Sequence, residues 1–542
     1  MKILKSQPTA LFALWLALVV ISLFSRSYIP IDETRYVTVA WNMWLRGDYL
    51  VPWLNGGPYS DKPPLLFWLM NAGWAVFGVN DWWPRLVPSF FALGGVFLTV
   101  RLARLLWPEQ EQTAASAPLI LLGSALWMVF TTATMFDMLV SFFTLLGIFG
   151  ILTAWQGRML KGWALVGLAI GGGLLAKGPT IILQILPLAL LASWWGKSGQ
   201  RWGRWYAGLF GAILLGAAIA LLWAIPAGMH GGEKYRDAIF WGQTADRMVN
   251  SFAHKRPLWW YLPLLPVILF PWLLWLPVLR GFARLKLAGD MGVRFCVAWL
   301  APVFLAFCFI SGKQVHYLLP IFPAFALLAA RALAGASSGG RRDAAPAAVA
   351  GFALSLLLLG LPYYAQNHPV APWLEQIPAW GGVVMMAASL ALVLIRSRDL
   401  LRETWKMTLY SSLGVLVFYF AVIHAAGTAY DMRPISARLK QLEDAKVPVA
   451  IIGEYHGTFN FLGRMTTSPE LSSRSHLTAW FDMHPNGRAI VFVNHEHPLG
   501  SMQPEFMQNY QGDKIAIVNR EQWLQWKEGH QSGKDRQSDG ED

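Results

Sequence analysis

Six short stretches of this chain place acids and lysines where apolar sequence breaks. Asp32 and Glu33 follow the run ALFALWLALVVISLF, at the head of IDETRYVTVAWNMWLRGDY. Lys62 lies in YSDKPPLLFWLM, with Tyr59 and Asp61 just before it. Asp137 interrupts MFDML, Lys177 ends LLAK before Gly178, and Lys313 and His316 share ISGKQVHYLLP. His254, Lys255 and Arg256 precede Trp259, Trp260 and Tyr261. A carboxylate can take the proton of an attacking hydroxyl, and fixed cations can stabilise negative charge as it develops on a leaving phosphate. Two prolines after Lys62 extend its backbone and open a helix. A lysine opposes the positive end of a helix unless an anion lies between them. Each residue also has a plainer role. Asp32 could cap a helix, Glu33 could serve as a first-turn acid, and Lys62 could snorkel to an interface. Lys177 and Lys313 could be helix-end cations beside a glycine stop.

Composition decides where these residues sit. Of 542 residues, 55% are hydrophobic and only 14% charged, and 29 are Trp. Mean hydropathy is +0.41, far above that of soluble proteins. Apolar windows long enough to span a bilayer recur, near 9–27, 84–105, 116–132, 138–156, 162–176, 179–196, 206–226, 258–279, 294–311, 316–334, 346–364, 378–395 and 407–426. The first lacks a small-residue cleavage site and reads as a retained span. Cys296 and Cys308 share one span and imply neither a disulfide framework nor a zinc site.

The net charge of +13 is concentrated in alternate connections, which hold Arg101, Arg104, Arg158, Lys161, Arg201, Arg204, Arg280 and Arg284 among others. That is the positive-inside pattern, so the basic balance calls for the lipid bilayer and not for nucleic acid. It places the N-terminus in the cytoplasm and the C-terminus outside. The first outer loop departs from the rule, carrying Arg35, Arg46, Lys62 and Arg85. Two outer connections are long, 28–83 and 227–257. All the acids and lysines above then converge on the outer face, and that convergence favours chemistry over isolated structural roles.

Beyond a membrane domain at 1–426, three strand-like runs, VPVAIIGEY, RAIVFVNHE and KIAIVNR, predict a small α/β domain at 427–530 on the outer side. Residues 531–542 read as a disordered tail. In the first loop, Tyr36, Val39, Ala40, Met43 and Trp44 recur at helical spacing. They predict an amphipathic helix along the membrane plane, with Trp41 and Trp44 at headgroup level. No Gly-rich phosphate loop or soluble nucleotide-binding unit is present in the sequence pattern.

IDETRY, DKPP, the second-loop Asp, AKGP, HKRPLWWYLPLLP and GKQVHYLLP, in that order over residues 1–330, resemble the lipid A 4-amino-4-deoxy-L-arabinose transferase family. More broadly they resemble the protein O-mannosyltransferase-like superfamily. The resemblance implies a C-type glycosyltransferase fold with about 13 transmembrane helices. It implies a bacterial inner-membrane enzyme that takes a sugar from a polyprenyl-phosphate carrier and passes it to a lipid, glycan or protein acceptor. It makes Asp32 and Asp137 catalytic acids and Lys62 the lysine at the carrier phosphate; independently of the resemblance, the chemistry of a leaving phosphate suits Lys177 and Lys313 as further cations, with Arg256 as a reserve. Glu33, Tyr36, Tyr59 and His316 position substrates, and Asp61 and His254 match positions near a possible divalent metal ion. Asp61 is shorter than the Glu that the family carries before its lysine. Two rivals fit the same composition. A lipid or lipid-linked sugar flippase would gather its charges near the bilayer midplane, and a scaffold would not need the outer acids and lysines.

Overall fold

The computed structural model describes residues 2–196, 201–241, 255–336, 340–368, 370–395, 397, 399–493 and 503–527. The expected tail at 531–542 and His254 lie outside them. Among the described residues, nine helices are long and apolar enough to cross a membrane, and Glu111–Leu122 with Ala125–Thr132, bent by 62° at their break, are apolar and long enough only when taken together. Shorter apolar helices at Thr180–Leu190, Leu258–Ile268 and Ala379–Leu394 fall on the remaining predicted spans. Each of the thirteen sequence windows therefore has a helical counterpart. The protein is a multi-pass membrane protein.

The first helix, α1 (Lys2–Ser25), packs into this bundle through Leu18 and through Trp15, whose Nε1 donates to the Ser89 carbonyl at 2.9 Å. The first outer loop then folds into two helices, α2 (Asp32–Arg46) and α3 (Leu65–Phe77), with a hairpin of β1 (Trp53–Leu54) and β2 (Gly57–Pro58) between them. Asn55 and Gly56 turn that hairpin with φ of 52° and 81°, the conformation a two-residue Asn-Gly turn supplies most readily.

Strands β3 (Val449–Ile452), β4 (Glu470–Ser472), β5 (Arg488–Val493), β6 (Phe506–Tyr510) and β7 (Asp513–Val518) form one mixed sheet in the order β4-β3-β5-β7-β6. The three predicted strands are β3, β5 and β7. Around β3 the sheet is parallel, and the β5-β7-β6 half is antiparallel. Consecutive residues of β5 and β7 are buried, so the sheet has a core on each side. Ile451, Ile490, Ile515 and Ile517 face one core, and Ala450, Ala489, Ala516 and Val518 face the other.

This domain does not hang free of the membrane part. Phe461, fully buried, lies within the aromatic core of the first loop. It stacks on Trp74 with ring centroids 5.2 Å apart and meets Tyr28 and Trp41 edge-on. Thr38 donates to the Gly457 carbonyl at 2.6 Å, Trp41 Nε1 to the Met465 carbonyl at 2.8 Å, and Arg464 pairs with Asp81 at 2.8 Å. The expectation that Trp41 sits at headgroup level is thereby corrected. Helix α2 is covered on nearly every side, and Trp41 is a docking residue for the C-terminal domain. Trp44 stays half-buried against Trp74.

Candidate active site

The site is assembled from helix ends. Asp137 opens the helix Asp137–Trp155 and Lys177 closes the helix Met159–Lys177, where Gly178 stops it at a φ of 75°. An acid at a helix start and a cation at a helix end each complement the local dipole. These neighbouring helices bring the two side chains together, and Lys177 Nζ lies 2.6 Å from Asp137 Oδ1. Asp137 is 5% exposed and Lys177 17%. The second oxygen of Asp137, Oδ2, is buried and has no hydrogen-bond partner among the described residues. An unsatisfied buried carboxylate oxygen is costly, so it is an acceptor available to a donor arriving from outside the chain. Lys177 also lies over the ring of Tyr317, 4.9 Å from its centroid.

Around this pair the other predicted residues gather. Lys62 and His316 are both within electrostatic reach of Asp137, and His316 also feels Asp32, Lys62 and Lys177. His316 packs against Phe130 and Tyr317. Asp32 is the first residue of α2. The residue before it, Ile31, makes no side-chain cap, so Asp32 does not serve as the cap the plainer reading allowed. Its side chain is 48% exposed, pairs with Arg35 one turn on, and accepts from the Tyr36 hydroxyl at 3.3 Å. Burial, then the charge of Asp32, pushes the Tyr36 phenol well above its usual range, so it stays protonated and donates. Tyr36 packs edge-on against Phe136, the residue before Asp137, and Phe136 meets Phe67, which in turn meets Tyr59. Tyr59 is also in electrostatic contact with Tyr36 and Arg35. The chain of rings fixes α2 and the Lys62 segment relative to the second-loop acid.

Glu33 is not part of the open cluster. It is fully buried and forms a two-pronged ion pair with Arg26, the second contact being 2.9 Å. It also accepts the backbone N–H of Ile29 at 2.8 Å and of Thr134 at 2.6 Å. Burial alone would raise its pKa. The Arg26 charge and these hydrogen bonds outweigh burial and hold Glu33 below the usual carboxylate range. Arg26 in turn donates to the Thr132 carbonyl at 2.6 Å. In place of the substrate-positioning part expected of it, Glu33 ties the start of α2 to the 132–134 turn that leads into Asp137.

Lys313 also stands apart. It is 3% exposed, and its ammonium donates to the carbonyls of Ile310 at 2.5 Å and Arg256 at 3.1 Å. With the Lys255–Gly312 bridge and the Arg256 N–H on Ser311, this lysine clips the second long loop to the end of the helix Met291–Phe309. The Arg256 side chain is exposed. Among the described residues no group of three or more His, Cys, Asp or Glu side chains could hold a metal ion. Of the expected pair, Asp61 alone lies among the described residues, next in sequence to Lys62.

Sequence reasoning missed Arg35 and Tyr317 as members of this site, and Arg26 as the buried partner of Glu33. Arg26 and Glu33 stand seven apart across a break between helices, and no periodic pattern marks such a pair.

The geometry can be set beside known proteins. Residues 61–228 match the dolichyl-phosphate-mannose-protein mannosyltransferase family. Undecaprenyl phosphate-alpha-4-amino-4-deoxy-L-arabinose arabinosyl transferase 2 of Pseudomonas fluorescens is 32% identical over 318 residues, 57% of this chain and 56% of that protein. The corresponding transferase of Pectobacterium carotovorum is 31% identical over 346 residues, 61% of this chain and 60% of its own. Over these stretches the chain is similar to the aminoarabinose transferases. The aligned region spans less than two thirds of these relatives' length. The crystal structure of ArnT from Cupriavidus metallidurans in the apo state superimposes with a TM-score of 0.72, covering 95% of this chain and 98% of that one at 19% identity. The same protein bound to undecaprenyl phosphate gives 0.71 at 20% identity, covering 94% and 97%. The fold is therefore that of ArnT, membrane helices and C-terminal sheet domain together. With bacterial relatives and many apolar helices, the chain is a multi-pass inner-membrane protein.

Proposed function

We propose that this protein is a membrane glycosyltransferase that moves a sugar from a polyprenyl-phosphate carrier to an envelope acceptor, on the outer side of the inner membrane. The donor class follows its relatives, whose names specify an undecaprenyl-phosphate-linked aminopentose, and the acceptor is a lipid, glycan or protein. The observation that carries the reading is the buried Lys177–Asp137 pair with its free carboxylate oxygen, set beside Lys62 and an open Asp32.

In the transfer, an acceptor oxygen bonds to the anomeric carbon as the bond from that carbon to the phosphate oxygen breaks, and the electron pair leaves with the carrier phosphate. Lys62 and Lys177 stabilise the charge that develops there, with Arg256 as a reserve cation at the loop edge. Asp32 accepts the proton of an acceptor hydroxyl, and Tyr36 and His316 fix the orientation of the partners. Asp137 Oδ2 accepts a hydrogen bond from the sugar. The positive-inside pattern supports a cytoplasmic N-terminus and a periplasmic C-terminal domain.

The test compares polyprenyl-phosphate sugars and envelope glycolipids by mass spectrometry in wild type, a deletion strain and Asp32→Asn. The expected result is accumulation of one carrier-linked sugar and loss of that sugar from one glycan in both mutants. Unchanged pools would overturn the transferase reading and direct attention to lipid transport.

A further inference from the structure

At the far end of the bundle lies a groove that the proposed reaction does not use. Its volume is about 700 Å³, within the range of ordinary ligand sites, and its walls come from α1, the helix Trp83–Leu106 and the helix Glu111–Leu122. Trp83, at the start of the second of these, is tied to the first outer loop through its Nε1 on the Leu69 carbonyl at 2.9 Å. Arg101 is 18 residues further on, about 27 Å along the axis at 1.5 Å per residue. The groove is thus at the opposite membrane face from the candidate active site.

Arg101 and Arg104 stand one helical turn apart on its wall and share a face. Both are exposed, and neither makes an ion pair or side-chain hydrogen bond among the described residues. Glu111 is the carboxylate on the same rim, also exposed. Toward the membrane interior the lining turns apolar, with Leu11, Val96, Phe97 and Pro118. Two cations at headgroup depth above an apolar wall match one kind of molecule in both charge and shape. We infer that this groove binds an anionic phospholipid, its phosphate held by Arg101 and Arg104 and an acyl chain lying along Val96 and Phe97. The site is independent of the transferase reading, since none of its residues approaches the acid and lysine cluster.

A basic side chain near a membrane surface contributes about 1 kcal/mol toward anionic lipid, which converts to about fivefold in affinity. Removing both arginines should weaken binding roughly 25-fold. Native mass spectrometry of the detergent-purified protein, titrated with phosphatidylglycerol or phosphatidylcholine, reads this directly. Wild type should retain phosphatidylglycerol in preference to phosphatidylcholine, R101A/R104A should lose that preference, and Glu111→Gln should strengthen it. Because neither arginine is paired, the double variant should keep the thermal stability of wild type. Equal retention of the two lipids by wild type, or undiminished preference in R101A/R104A, would overturn the inference. Displacement of the lipid by millimolar glycerol phosphate would overturn it too, because the site would then recognise a soluble anion.

Discussion

The Lys177–Asp137 pair allows a structural role to be separated from a catalytic one. Lys177→Met leaves a carboxylate that is 5% exposed without its cation, and Asp137→Asn leaves an ammonium in a half-closed pocket. Breaking a buried pair from one side costs about 3 to 5 kcal/mol, because the surviving charge is uncompensated. The 17% exposure of Lys177 puts Asp137→Asn at or below the lower end of that range. Removing both charges leaves no orphan, so the Lys177→Met/Asp137→Asn double variant should recover most of the lost stability. Turnover should not follow. If Lys177 faces the leaving phosphate, its loss removes a preorganised cation worth roughly 10² to 10³ in rate, and restoring the fold does not restore the charge. The assay is thermal unfolding in detergent alongside transfer from a synthetic polyprenyl-phosphate sugar, for wild type, both single variants and the double. A double variant that regained wild-type turnover together with its stability would refute the argument, since the pair would then be a brace and the phosphate site would lie elsewhere.

Asp32→Asn should lower kcat by roughly 10² to 10⁴, the range for loss of a general base, with little change in stability because the side chain is half open; steady-state kinetics on a hydroxyl acceptor reads this. Glu33 has its pKa depressed in the folded state from an ordinary value of 4.5. Its contribution is therefore complete above that pH and is lost as pH falls through the lower folded value. Unfolding temperature should drop on acidification below about pH 4.5, and Glu33→Gln should be less stable at neutral pH with a flatter acid limb. Lys313→Met should leave the Ile310 and Arg256 carbonyls without its ammonium donor and loosen the second long loop, read as faster proteolysis near residue 255 with the donor KM changed more than kcat. Phe461→Ala removes a fully buried ring at the domain contact, where such truncations cost about 3 to 5 kcal/mol; kcat should fall while donor KM holds, and Phe461→Leu should recover part of it.

What the sequence made legible followed from strong, local signals. Thirteen apolar windows could be located because a span must satisfy its own backbone within one helix, so each carries its evidence in about twenty consecutive residues. The three strands read correctly are the ones in the middle of the sheet, where apolar runs are unbroken. Strands β4 and β6 are edges, three and five residues long and half exposed, and their sequences ELS and FMQNY carry no such run. The Asn55-Gly56 hairpin turn was available as a signal and went unread. For the site, Lys177 and Asp137 were recognisable one at a time as helix-end charges, but their 2.6 Å contact depends on how two helices pack. Glu33 and Lys313 misled for a single reason. A charged residue at membrane depth marks either a substrate contact or a buried structural partner, and the sequence does not show that Arg26 or a backbone carbonyl is the partner.

That ambiguity bears on how α2 is held. A helix with Tyr36, Trp41 and Trp44 looks from its sequence like one that floats at the membrane surface, anchored by lipid. The structure instead fixes it at two points along its length. Arg26 and Glu33 lock its first turn to the 132–134 segment, and the C-terminal domain grips its middle through Thr38 and Trp41. At the second grip Gly457 adopts a φ of 73°, and a Cβ there would come within 2.7 Å of Thr38 Cγ2 and Leu54 Cδ1. A side chain at 457 would therefore crowd Thr38 on α2 and Leu54 on the hairpin, at a strained backbone angle. Asp32 sits at the end of α2 nearest the first lock, so a displacement at 457 reaches it only by tilting the helix against the Arg26–Glu33 anchor. The two grips together convert a surface helix into a rigid mount for an acid that must meet a lipid-held substrate at a fixed depth.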